Sequence, residues 1–310
     1  MSGSGSMASD ADGAALMKKA EKAHTKTVFN WTADWASALM YYEQAANAFR
    51  KDISIKGHCN MVEALRQASN AAEQLSNANT AAKHLGTAAA ACFKIGDKVQ
   101  AVELLRSSAK LYHENTQARK AAEDLSKAAG WVRDENPDLA VKLYEQACEI
   151  YDIEDQVQMA ADVYKIAVSF LARENRLDDA VKFLMKQNKG LSKHIGKFAE
   201  AFYKNCLSVC ILYLSLRDTS HAINALQEFQ SVAPDFSNSS EYMCASGLVS
   251  AFENCDVDAL VKAKSDRTLS YIDNQIARLV RDLAIDDDAR EAAKKVTQPN
   301  LAEGDEVDLT

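Results

Sequence analysis

Two series of helical segments, interleaved at a period near forty residues, limit what this chain can fold into. Ala140-Val-Lys-Leu-Tyr-Glu-Gln-Ala-Cys-Glu-Ile-Tyr151 carries apolar or small residues at offsets 0, 1, 3, 4, 7, 8, 10 and 11. Ala38-Leu-Met-Tyr-Tyr-Glu-Gln-Ala-Ala-Asn-Ala-Phe49 has the same offsets, as does Ala101-Val-Glu-Leu-Leu-Arg-Ser-Ser-Ala-Lys-Leu-Tyr112, where Ser108 is the one polar member. Those offsets trace one broad face of a 3.6-residue helix. Ala180-Val-Lys-Phe-Leu and Ala222-Ile-Asn-Ala-Leu repeat the opening, so the starts from Ala101 onward recur at intervals of 39, 40 and 42 residues. The interval from Ala38 to Ala101 is 63, which requires an additional helix or more between them.

A second series runs between the members of the first. Ala81-Ala82-Lys-His-Leu85, Ala121-Ala122-Glu-Asp-Leu125 and Ala160-Ala161-Asp-Val-Tyr164 are 40 and 39 residues apart, with Glu200-Ala201 another 40 on. Two distinct helices sharing one period describe stacked helical hairpins, so the expected fold is all-α, a tetratricopeptide-like helical-hairpin solenoid. Helix starts agree with this. Asn136 before Pro137 is an N-cap followed by proline at the first helical position, and Asp97 and Asp178 are expected to open the neighbouring repeats in the same way. Eleven Gly and three Pro in 310 residues are too few for an all-β chain of this length.

The phase is lost after Pro234. Asp235-Phe-Ser-Asn-Ser-Ser240 reads as a loop, and helical patterns follow near 241–253, 256–264 and 268–285. These are expected to form a C-terminal helical bundle that closes the array, since a solenoid end needs a cap. The expected organisation is therefore residues 1–14 as an artificial leader and flexible start, 15–234 as solenoid, 235–296 as bundle and 297–310 as flexible acidic tail. Met7 is the expected natural start. The tail contains Pro299, Gly304 and the acids Glu303, Asp305, Glu306 and Asp308, with no basic residue.

Residue chemistry excludes several function classes. A net charge of −8 and a pI near 5.4 argue against a general nucleic-acid binder. The longest apolar run, Leu207 to Leu214, is less than half of what a bilayer requires, and no secretory signal opens the chain, so a cytoplasmic protein is expected. The nearest approach to a phosphate loop, Gly190-Leu-Ser-Lys-His-Ile-Gly196-Lys197-Phe198, has five residues between its glycines and Phe where a hydroxyl must hold magnesium. Cys206 and Cys210 lie one helical turn apart without a nearby histidine, which suits core thiols better than a zinc site. Paired acids such as Asp178-Asp179 read as caps and solvated faces. No catalytic residue, metal or cofactor is expected.

Two features exceed what a plain scaffold needs. Val28, Phe29, Trp31 and Trp35 cluster in a loop-like stretch, where Trp35 is expected to tuck onto the first repeat. The others either join it or face a membrane interface or a partner. Lys182, Lys186, Lys189, Lys193, Lys197 and Lys204 form a basic run whose window holds one acid, Glu200. It is either a solvated face or a surface for an acidic partner.

The aromatic loop, Tyr42-Glu-Gln-Ala-Ala-Asn-Ala-Phe-Arg50, the near-forty spacing, the bundle and the ending Gly304-Asp-Glu-Val-Asp-Leu-Thr310 together resemble the soluble NSF attachment proteins. Asn136-Pro-Asp-Leu-Ala-Val-Lys-Leu-Tyr-Glu-Gln146 through Arg176-Leu-Asp-Asp-Ala-Val181 looks most like the gamma-type members, whereas the acidic ending with its penultimate leucine is similar to the alpha and beta types. The resemblance implies a non-enzymatic adaptor, peripherally membrane-associated. It would clasp syntaxin-type SNARE complexes and recruit and stimulate the hexameric ATPase NSF, without binding nucleic acid. On that resemblance, the six lysines would meet the SNARE bundle. Val28, Phe29 and Trp31 would touch the membrane, and Asp305, Glu306, Asp308 and Leu309 would engage NSF. The alternatives left open by the residues are a generic repeat scaffold that grips a peptide or subunit, and a helical enzyme with a non-obvious site.

Overall fold

The computed structural model describes residues 3–25 and 33–285, with side chains from Asp10 onward. Fourteen α-helices and two 3-10 turns lie among the described residues, and no strand does. Contacts divide the chain into two compact units, Met1–Val163 and Tyr164–Thr310, with the division falling inside helix α8.

The first unit holds α1 (Gly3–His24), α2 (Trp35–Phe49), α3 (Ile55–Gln74), α4 (Ala78–Lys94), α5 (Lys98–Glu114), α6 (Ala118–Val132), α7 (Pro137–Ile153) and the start of α8 (Val157–Arg173). From α1 to α7 each helix packs on its neighbours in the chain, which is the hairpin repeat that the two series imply. The 63-residue interval is filled by one additional helix, α3. As a result α2 shares the second-series position of α4 and α6 although its residues match the first series. The offsets report a buried helical face, and both positions of a hairpin bury one.

The expected flexible start is corrected here, because α1 runs through residues 3–14. Asp10 anchors it, pairing with Lys56 Nζ at 2.6 Å and accepting from Asn60 Nδ2 at 2.9 Å. Gly13 allows α1 to lie against α2, since a Cβ there would come within 2.5 Å of the Phe49 ring. Ser108, the polar member of its series, is fully buried. Its hydroxyl lies 2.8 Å from the Ala82 carbonyl oxygen and 2.6 Å from Asp124 Oδ2, so it ties α4, α5 and α6 together.

The low glycine count turns out to conceal a repeated turn. Seven helices end in a residue at positive φ that directly precedes the cap of the next helix, and only Gly96 among these is a glycine. The others are Ser76, Thr116, Asp155, Asn175, Arg217 and Cys255, at φ between 51° and 62°. In every case the following N–H donates to the carbonyl five residues back, as from Asn77 to Ala72 and from Asp218 to Tyr213, at 2.8 to 3.0 Å. Asn77, Asp97, Asp218 and Asp256 then cap the next helix through their side chains, and Asn136 caps α7 in the same way without a positive-φ residue before it. Asp178 does not take this part. It sits inside the first turn of α9 because Arg176 occupies the cap position, and there its charge favours the helix dipole.

The second unit continues from α8 with α9 (Leu177–Ser192), α10 (Ile195–Ser215), α11 (Thr219–Val232), α12 (Ser240–Glu253), α13 (Val257–Lys264) and α14 (Asn274–Asp282). Here α10 is a hub on which α9, α11, α12 and α14 all pack. That explains the apolar run: Cys206 to Leu212 and Leu214 are buried, because a central helix is apolar all round. The expected loop at 235–240 is instead the 3-10 turn Pro234–Asn238, whose Phe236 is fully buried. Its ring lies 5.2 Å from Tyr203, 6.5 Å from Phe229 and 5.4 Å from Tyr242. The pattern expected as one helix at 268–285 is a 3-10 turn, Arg267–Tyr271, and then α14, separated by the Asp273 cap.

Candidate functional site

Helix α9 carries the lysine run. Its buried face is made by Leu177, Ala180, Val181, Leu184, Asn188 and Leu191. At about 100° per residue, Lys182, Lys186, Lys189 and Lys193 fall within about 60° of one another, opposite that face. Lys182, Lys189 and Lys193 are exposed and Lys186 is half-buried. These four form one stripe. Lys197 and Lys204 lie beyond the turn, on α10, where Phe198 breaks the helix at φ −120°, ψ 21°. The Lys197 ammonium rests 5.1 Å from the centre of the Phe198 ring, and Lys204 pairs with Glu200 at 2.5 Å. The six lysines are thus a stripe of four and two separately engaged residues.

Acids temper the stripe at one end. Asp179 pairs with Lys182 at 3.0 Å and with Arg176 at 2.7 Å. Partial burial works to raise its carboxyl, and the hydrogen bonds from Lys182 and Arg176 outweigh this and hold it below the usual carboxylate range. The net positive character therefore concentrates toward Lys189 and Lys193. Sequence spacing found the stripe but missed what holds α9 in place: Asn205 Nδ2 donates to Gln187 Oε1 at 2.9 Å, and buried Asn188 reaches Cys206 Sγ at 3.6 Å.

Val28, Phe29 and Trp31 lie outside the described residues, as do Asp305, Glu306, Asp308 and Leu309. The flanks of the aromatic stretch are described. Asp34 N–H donates to the Ala23 carbonyl at 3.0 Å, which brings the end of α1 to the start of α2. Trp35 packs against the core formed by Ala20, Ala38, Tyr42, Ala68 and Ala71, where the sequence reading expected it to tuck.

One feature was not legible in the sequence. A groove of about 500 Å³ runs between α5 and α7 in the first unit, with Leu125 of α6 in its lining. Arg106, Lys110 and His113 face Glu149 and Ile150 across it, and Ile153 at its end is 74% exposed. Its residues come from helices forty apart, so only the stacking brings them together. Among the described residues no three His, Cys, Asp or Glu side chains converge as a metal site would require, and no helix is long and apolar enough to cross a membrane.

Comparison with known proteins gives one family. The family model described as "Soluble NSF attachment protein, SNAP" matches residues 11–268. The gamma-soluble NSF attachment protein of Dictyostelium discoideum is 30% identical over 288 residues, covering 93% of this chain and 87% of that protein. Its namesake from Arabidopsis thaliana is 32% identical over 304 residues, covering 98% and 100%. Among solved structures, BtubC from P. vanneervenii aligns with TM-score 0.37 and 15% identity over 75% of this chain and 93% of that one.

Proposed function

Because the chain belongs to the soluble NSF attachment protein family and resembles its gamma type, we propose that it is an adaptor between assembled SNARE complexes and the NSF ATPase. In this reading it has no turnover of its own and works in intracellular membrane traffic, on the cytoplasmic side of a membrane that it touches peripherally. The observation that carries the site is the stripe of Lys182, Lys186, Lys189 and Lys193 on the solvent face of α9. Such a stripe suits a long acidic rod, since rows of charge steer encounter and fix register more than they add affinity. Val28, Phe29 and Trp31 are the proposed membrane contact, held between helix ends pinned at Ala23 and Asp34. Asp305, Glu306, Asp308 and Leu309 are the proposed NSF contact. Several copies on one rod would make weak contacts sufficient.

The test is ATP turnover by NSF on preassembled SNARE complexes, with and without this chain. Stimulated turnover together with disassembly is expected, and absence of both would reject the adaptor role. The groove between α5 and α7 favours a second reading, a repeat scaffold holding an extended peptide. A SNARE-independent peptide that binds this groove, in a chain indifferent to NSF, would establish it.

A further inference from the structure

The second unit ends in a cationic cleft for which the adaptor reading has no use. It measures about 510 Å³ and lies between the Arg267–Tyr271 turn and α14. Leu269 and Val280, both buried, and half-buried Ala277 supply its apolar lining. Lys264, Arg278 and Arg281 line it as well, and among the described residues no acid does. Asp282, at the end of α14, lies outside the lining, and two other nearby acids are committed to backbone. Asp266 accepts from the Thr268 N–H and Asp273 from the Gln275 N–H, each at 2.8 Å. Lys264 Nζ is spent on the carbonyls of Arg281 and Leu283, at 2.7 and 3.0 Å. The guanidinium groups of Arg278 and Arg281 are exposed, and neither makes an ion pair among the described residues.

Two guanidinium groups with no ion pair among the described residues, above an apolar floor, fit a peptide that alternates acids with aliphatic side chains. The chain itself carries one. Glu303-Gly-Asp-Glu-Val-Asp-Leu309 has acids at 303, 305, 306 and 308, aliphatic groups at Val307 and Leu309, and no base. We propose that the cleft docks this segment, with its carboxylates on Arg278 and Arg281 and Leu309 against Leu269 and Val280. The last described residue, Ile285, lies two residues beyond Leu283, whose carbonyl binds Lys264, so the chain departs at the rim of the cleft. Residues 286–302 lie between, a length that would span roughly 20–25 Å as a random coil. The segment is therefore held near the cleft at an effective concentration in the millimolar range, where even a weak contact is populated. The consequence rests on the proposed function: docked, Leu309 is covered and unavailable to NSF, so the free adaptor shields its own NSF contact.

The test uses the isotopically labelled full chain at low salt and follows the backbone amide resonances of residues 305–309. Docking predicts that they differ from those of the free peptide of the same sequence. They should move onto the peptide values in Arg278→Ala/Arg281→Ala, or in about 0.5 M salt, where screening falls to a few ångströms. Both arginines are exposed, so the fold should persist, and Arg278→Lys/Arg281→Lys should retain most of the difference. Wild-type resonances that already coincide with the peptide overturn the proposal. Resonances that revert on dilution would put the segment on a second copy and overturn it equally. If α14 amides respond to inorganic phosphate and ignore Asp305→Asn/Glu306→Gln/Asp308→Asn, the cleft belongs to a phosphate-bearing ligand instead. This measurement contains no NSF, so its failure leaves the adaptor reading standing. Conversely, clear docking beside a chain that never stimulates NSF would sink that reading alone. In the NSF assay, Arg278→Ala/Arg281→Ala should raise stimulation about twofold at subsaturating adaptor if the segment is half docked.

Discussion

The rings of His24 and Trp35 lie stacked, 4.8 Å between centroids and 6° from parallel, across the two ends of the aromatic stretch. His24 Nε2 lies 3.0 Å from the Tyr42 hydroxyl, which links this stack to the buried face of α2. The end of α1 and the start of α2 are thereby locked whatever the seven residues between 26 and 32 do. A clean separation of roles follows. Trp35→Ala should cost about 2 kcal/mol, less than the 3–5 of a fully buried ring, because Trp35 is half-buried. Phe29→Ser/Trp31→Ser should change stability by less than about 0.5 kcal/mol and yet reduce liposome binding. Denaturant unfolding and vesicle flotation on the same variants check this. An equal loss of stability from Phe29→Ser/Trp31→Ser would make those side chains core.

The stripe on α9 predicts a graded charge effect. Lys186→Glu/Lys193→Glu should weaken SNARE binding about tenfold at low salt and flatten its salt dependence. Lys204→Gln should cost less than about twofold, since Glu200 already engages that ammonium. Binding isotherms at two ionic strengths decide. If both variants bind like wild type, the stripe is a solvated face.

Leu309→Ala bears on the proposed NSF contact. Burying one leucine contributes roughly 1.5–3 kcal/mol, so its loss should weaken stimulation roughly ten- to a hundredfold while SNARE binding stays intact. Unaltered ATP turnover with this variant would leave Glu303–Leu309 a solubilising segment.

The repeated turn makes a prediction of opposite sign. Thr116 is β-branched and sits at φ 56°, a region that costs residues with a Cβ roughly 1–2 kcal/mol. Thr116→Gly should stabilise the chain by about 1 kcal/mol after the entropy that glycine loses on folding, and Thr116→Ala should not. A rise in the thermal midpoint for the glycine variant alone is the expected result. No rise would mean that tertiary contacts of the Thr116 side chain outweigh the strain.

The cysteines divide by burial. Cys92, Cys148, Cys206, Cys210 and Cys244 are buried and Cys59 is exposed, so a maleimide should label Cys59 at once, Cys255 more slowly, and the remaining five only on unfolding. Burial pushes the Cys210 thiol up to about 12, so the folded chain keeps that proton where the unfolded chain loses it. Stability should therefore fall as pH rises from about 9 toward 12, by at most about 1.4 kcal/mol per pH unit for this thiol. Denaturant midpoints across that range should drop less in Cys210→Ala, measured against its own value at pH 7.

The sequence by itself determined the local part of this protein. Helix faces, N-caps such as Asn136 and Asp97, and the lysine stripe depend on spacing along one helix, and that spacing is written in the chain. The same holds for the family resemblance, which needs only the order of residues. What depended on two distant segments meeting was decided by the tertiary structure alone. The pairing of Asp10 with Lys56 and Asn60 made α1 part of the repeat, and Phe236 turned an expected loop into the centre of an aromatic cluster. The turns at Ser76 and Thr116 were hidden for a related reason, since a non-glycine residue is held at positive φ only where packed helices on both sides leave the backbone no other course. The cleft at Arg278 and Arg281 is likewise a product of packing. No spacing in the sequence announces which cations will line a cleft without an ion pair among the described residues once Asp266 and Asp273 have been taken up as caps.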